Sequence, residues 1–110
     1  MIQVSIQTKP LSVNRIWQGR RFKTREYLDY EKELLYGLPR QKTISGDVKV
    51  SIDFYLKSVK RSDIDNYAKP LLDILVKKKY IEDDRKIIEL NLRKFLGTPE
   101  AILILIEKIQ

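Results

Sequence analysis

The 110-residue chain is long enough for one domain with a small core, since 43% of its residues are hydrophobic. Lys and Arg number 22 against 15 Asp and Glu, a formal net charge of +7 that favours a polyanionic partner, nucleic acid first, bound in a salt-sensitive way. With no cysteine and no histidine, thiol chemistry, Ser-His-Asp catalysis, histidine bases and ordinary zinc sites are excluded, which leaves carboxylates, Lys, Arg, Tyr and hydroxyls for any reaction.

Ile2, Val4 and Ile6 alternate with polar residues until Pro10, the pattern of a first, half-buried strand. This segment lacks the long apolar run of a signal peptide or membrane span, so a cytoplasmic location and no membrane partner are expected. From Arg15 to Arg25 the chain is basic and irregular, a loop or β-ribbon in which Trp17 and Phe22 flank Gly19. Thr24 suits the N-cap of a first helix, carried by Tyr27, Tyr30, Leu34 and Leu38 and stopped by Gly37 and Pro39. Val48, Val50, Ile52 and Phe54 alternate strictly with polar residues between Asp47 and Leu56, the clearest strand of the sequence. Leu71, Leu72, Leu75 and Val76 form the apolar stripe of a second helix over 66–79; Pro70, which tolerates only the first turn, sets its regular start near Asn66 or Tyr67. Ile88, Leu90 and Leu92, then Gly97-Thr98-Pro99, then the apolar run 101–106 read as a hairpin whose last strand is central. The order β-α-β-α-β-β predicts a single α+β domain over 1–110, with a mixed, mostly antiparallel sheet packed with two helices.

Against this basic background stand Asp63-Ile64-Asp65-Asn66-Tyr67-Ala68-Lys69 and the acidic turn Glu82-Asp83-Asp84. Carboxylates repel a polyanion unless a divalent cation lies between them and the phosphates, so the pattern points to a metal-dependent phosphodiesterase. If the backbone at Asp63 and Asp65 is extended, period two turns both carboxylates to one side, and a regular helix puts Asp65, Lys69 and Asp73 on one face. The same residues also suit plainer roles: Asp63, Asp65 and Asn66 as helix caps, the acidic turn as a solvated loop, Lys69 as a surface lysine. The residues alone leave both readings open.

The stretch 63–87 resembles the RusA-type Holliday-junction resolvases, whose signature runs Asp-x-Asp-Asn-x-x-Lys, then an apolar helix with an internal Asp-x-Leu, then Asp-Asp before a strand. Asp63-Ile64-Asp65-Asn66-Tyr67-Ala68-Lys69, Asp73-Ile74-Leu75 and Asp83-Asp84 match it without a gap, and Pro10, Ser12, Asn14 and Arg15 are similar to the family's segment after the first strand. The chain departs at Glu82, where an apolar residue is common, and at Lys77-Lys78-Lys79, where a helix end often carries glycine. The resemblance implies a magnesium-dependent homodimer, with manganese as a possible substitute, that cuts four-way DNA junctions in recombination and repair in a bacterial or phage-infected cell. It implies Asp63, Asp65 and Asp84 as metal-binding carboxylates and Lys69 as the essential basic residue. Whether Asp83 or Asp84 is the main acidic-turn ligand stays open in the sequence.

Expected phosphate contacts come from Asn14, Arg15, Arg20, Arg21 and Lys23 and from Lys57, Lys60 and Arg61, together with Lys69. Trp17 and Phe22 are available to stack on unpaired bases, although large aromatics more often bury themselves in a core or interface; Tyr27 and Tyr30 read as helix packing. Two alternatives stand beside the resolvase: a same-fold nuclease acting on other branched DNA or RNA, and a non-catalytic basic nucleic-acid-binding module whose carboxylates are caps.

Overall fold

The computed structural model describes residues 1–19, 22–60 and 63–109. Strand β1 (Ile2–Ile6) leads through a 3₁₀ turn (Val13–Arg15) to a short ribbon of β2 (Trp17–Gln18) and β3 (Phe22–Lys23). Helix α1 (Arg25–Gly37), β4 (Val48–Leu56), α2 (Ile64–Lys77), a 3₁₀ turn (Asp84–Lys86), β5 (Ile87–Leu96) and β6 (Ala101–Lys108) follow. The four long strands form one sheet in the order β1-β6-β4-β5, antiparallel except for the β4–β5 pair. The expected α+β class, with two helices on a mostly antiparallel sheet, is the observed one.

Alternation along β4 decides which face is wet. Val48, Val50, Ile52, Phe54 and Leu56 are buried, and the register sets Val4, Ile104, Ile52 and Leu92 in one row across all four strands. Tyr30 and Leu34 of α1 and Leu71, Ile74 and Leu75 of α2 close this face into a single core. The opposite face mixes polar side chains with Tyr55, Phe95, Leu103 and Leu105, and the Arg93 guanidinium there donates two hydrogen bonds of 2.8 Å to Asp53 on the neighbouring strand. Lys77 of α2 reaches Glu31 of α1 at 2.6 Å, pinning the helices to each other.

Three expectations change. Strands β5 and β6 are not a hairpin: β4 lies between them, pairing parallel with β5 and antiparallel with β6. The 97–100 connection crosses the end of β4, where the Gly97 amide donates to the Leu56 carbonyl and the Glu100 carboxylate accepts from the Lys57 amide. The turn residues signal a reversal but not how many strands it steps over. The last strand is nonetheless interior, as expected.

Helix α2 starts at Ile64, with Asp63 as its N-cap residue, ahead of the start that Pro70 suggested. Pro70 cannot supply the N–H that the carbonyl four residues back would accept, but its ring is buried, and with Leu71, Ile74 and Leu75 beside it that packing holds the turn together. At the other end, Lys79 takes the left-handed conformation (φ 66°) usually given to glycine. The Tyr80 amide donates to Leu75 and the Lys79 amide to Val76, so the helix stops in a Schellman arrangement despite the side chain.

The third change concerns Trp17 and Phe22. They are 53% and 73% exposed, so they do not pack into the core of the chain. Among the described residues no helix is long and apolar enough to cross a membrane.

Candidate active site

Helix α2 and the 3₁₀ turn before β5 meet at Lys69 and Asp84. Asp63 is extended (φ −86°, ψ 115°) and occupies the N-cap position, yet its side chain makes no capping hydrogen bond to the helix backbone. Its carboxylate instead accepts a long contact, 3.4 Å, from the Asn66 side-chain amide. The cap at this end is left to the backbone, the Asp63 carbonyl accepting from the Asn66 amide at 3.0 Å, and the Asp63 carboxylate is exposed. Asp65 lies in the first helical turn, exposed, at the positive end of the helix dipole. Because the helix begins at Ile64, strand alternation does not govern the directions of Asp63 and Asp65.

Further along the helix, Lys69 follows the i,i+4 rule to Asp73, with its ammonium 3.1 Å from the carboxylate. The same ammonium lies 3.7 Å from Asp84 in the 3₁₀ turn. The Asp73 hydrogen bond, its charge and the Asp84 charge hold the Lys69 pKa above the ordinary lysine value, so Lys69 is a fixed cation here and not a base.

The two acidic-turn candidates are sorted by their partners. Asp83 caps its turn by accepting from the Arg85 amide at 3.1 Å and pairs with the Arg85 side chain at 3.3 Å; the amide hydrogen bond foremost lowers its pKa. Asp84 faces Lys69 across the gap to α2. Glu82 is drawn away altogether, accepting at 2.7 Å from the amide of Gly46, whose φ of +85° suits a residue without a side chain.

The basic residues surround this region unevenly. Asn14 and Arg15 are exposed on the first 3₁₀ turn, which packs against α2, and Arg15 is 3.6 Å from Glu26. The Lys23 ammonium lies 4.4 Å from the ring centre of Tyr27 and 5.7 Å from that of Trp17. Lys57 and Lys60 are exposed after β4. Arg20, Arg21 and Arg61 lie outside the described residues.

Tyr27 is buried on α1, as its reading as a helix-packing residue expects. Burial foremost, and then the nearby charge of Glu31, raises its hydroxyl pKa above the ordinary tyrosine value. A hollow of about 340 Å³ on the far face of the sheet, lined by Ser51, Asp53, Arg93 and Leu103, holds none of the predicted site residues.

The donor chemistry is right for a hard divalent cation, which takes carboxylate oxygens and keeps several waters. Among the described residues, however, no three acidic side chains are gathered closely enough to form a ready cage. Comparison with curated proteins finds no match. The family model described as Endodeoxyribonuclease RusA matches residues 5–107, nearly the whole chain, and the protein therefore belongs to the RusA family of endodeoxyribonucleases.

Proposed function

We propose that this endodeoxyribonuclease resolves four-way DNA junctions by magnesium-dependent hydrolysis of paired phosphodiesters. The observation that carries the reading is the placement of Lys69, in the middle of α2, against Asp84 in the turn before β5, on the same helix whose Asp63 carboxylate makes no capping hydrogen bond. In a protein with net charge +7, exposed carboxylates at Asp63, Asp65 and Asp84 oppose DNA binding unless a cation screens them.

Asp63, Asp65 and Asp84 would hold the metal, with DNA phosphate oxygens and water completing its shell. Bound there, magnesium supplies a more acidic attacking water and neutralises charge on the phosphoryl oxygens. Lys69 keeps its proton and sets a positive charge where the phosphoryl oxygens or the leaving oxygen gain negative charge. Asp73 positions that ammonium through the 3.1 Å hydrogen bond. No protein nucleophile takes part.

Exposure of Trp17 and Phe22 beside Lys23 and Arg15 supports the use of this ribbon on DNA, the cations taking phosphates and the rings taking bases opened at the branch. A junction has approximate two-fold symmetry and needs two matched nicks, which a two-fold dimer with two sites supplies. The chain would act in recombination and repair in the cytoplasm of a bacterial or phage-infected cell. Cleavage of junction, flap and linear duplex in competition tests the substrate assignment: the junction should be cut preferentially, with symmetric paired nicks, and equal cutting of flap or duplex would refute junction selectivity.

A further inference from the structure

Strand β5 ends the sheet, and among the described residues nothing pairs with the outer edge of its ten residues, which carry Ile88, Leu90 and Leu96 at 61%, 40% and 71% exposure. A long, apolar edge invites another strand unless it is guarded. The guard one would look for, Lys94, is turned inward, its ammonium donating to the Val59 carbonyl at 3.0 Å.

We infer that β5 pairs antiparallel with β5 of a second copy of this chain, with the two-fold axis at Asn91, joining two four-stranded sheets into one of eight. The backbone sets which residues can bond outward. The Gly97 amide donates inward to Leu56 on β4, so by alternation Phe95, Arg93 and Asn91 also face β4, while Lys94, Leu92 and Leu90 present their N–H and C=O groups to the free edge. With Asn91 on the axis, Leu90 lies opposite the second copy's Leu92 as a hydrogen-bonded pair, and the two Asn91 residues meet as a non-hydrogen-bonded pair, Cα atoms about 4.5 Å apart.

Charge selects this register. On the open sheet face Lys49 is 3.3 Å from Glu89, and Asp53 is bound to Arg93, in each case across the β4–β5 ladder. Centring on Asn91 sets Glu89 opposite the second copy's Arg93, so each of two symmetric rows reads plus, minus, plus, minus across the joined sheet. Shifting the axis to Arg93 would oppose two guanidinium groups, a destabilising pair. The axis is perpendicular to the sheet, so both copies keep their helices on one face. The two Ile87 positions, each next to its own Asp84 turn, would stand eight residues apart along the ladder, roughly 26 Å at 3.3 Å per residue.

This gives the proposed two-site dimer a defined surface and depends on that reading for its purpose, although its test does not involve DNA cleavage. Because the chain has no cysteine, Asn91→Cys introduces a single thiol at an exposed position. Under mild oxidation in sedimentation and gel experiments at tens of micromolar, it should form a disulfide-linked dimer rapidly, as the axial spacing suits a disulfide. Glu33→Cys, exposed on α1, should cross-link only slowly. Glu89→Lys should weaken the dimer at least tenfold in Kd. A monomeric wild type, or a dimer that Asn91→Cys links no faster than Glu33→Cys, overturns the inference, and unchanged dimer affinity in Glu89→Lys overturns the register.

Discussion

Lys69 stands 3.1 Å from Asp73 and 3.7 Å from Asp84, and so ties the middle of α2 to the turn that starts β5. All three groups are substantially exposed, so these pairs contribute little to stability in water. Their value lies in fixing where a positive charge sits.

Replacing Lys69 with Ala is therefore expected to reduce cleavage rate far more than junction affinity. One phosphate contact among many is a small share of binding, whereas a charge at the reacting phosphoryl acts on the transition state. Arg should rescue poorly, because its planar fork does not reproduce a compact ammonium held by Asp73. Single-turnover rates and gel-shift affinities measured on one preparation check this, and parallel losses in both would make Lys69 an ordinary DNA contact.

Asp84→Asn should lose cleavage, while Asp83→Asn should retain most of it. Asp83 is engaged with Arg85, and since asparagine caps about as well as aspartate the variant loses only the exposed Arg85 ion pair and should melt close to wild type. A thermal melt and a cleavage time course on each variant separate the two roles; greater damage to activity from Asp83→Asn would move the assignment by one residue.

Trp17→Ala and Phe22→Ala should leave the melting temperature nearly unchanged, as both side chains are exposed. Affinity for a four-way junction should fall by about 1–3 kcal/mol for each ring that stacks on a base, with a smaller loss on intact duplex. Equal losses on junction and duplex would show that the ribbon does not read the branch.

Lys79→Gly should stabilise the fold by about 1 kcal/mol, since glycine carries no penalty in the left-handed conformation that Lys79 adopts. Chemical denaturation of both proteins measures the difference. A destabilised variant would mean that the lysine side chain contributes more than its backbone conformation costs.

The strand periods and the cap at Thr24 were legible because they rest on neighbours in sequence: the Thr24 hydroxyl does accept from the Tyr27 amide, at 3.1 Å. The i,i+4 relation of Lys69 and Asp73 was legible for the same reason. The approach of Asp84 to Lys69 was readable only through the family motif, since a sheet crossover brings those residues together. Strand pairing was not legible. Gly97-Thr98-Pro99 looks like a hairpin turn, and nothing in those residues marks that β4 lies between the two strands they join. The start of α2 was not legible, because the packing of Pro70 and its neighbours against the core outweighs the poor helix propensity of proline.

The central claim is that the carboxylates of α2 serve a metal and not a helix cap. The most direct measurement is magnesium-dependent cleavage of a synthetic four-way junction by wild type, Asp63→Asn and Asp65→Asn, with binding followed in parallel by gel shift. Wild type should cut with magnesium and not with chelator, whereas both variants should bind as well or more tightly, having lost a negative charge near the phosphates, and should not cut. Cleavage by Asp65→Asn at near the wild-type rate, or wild-type cleavage indifferent to magnesium, would contradict the claim.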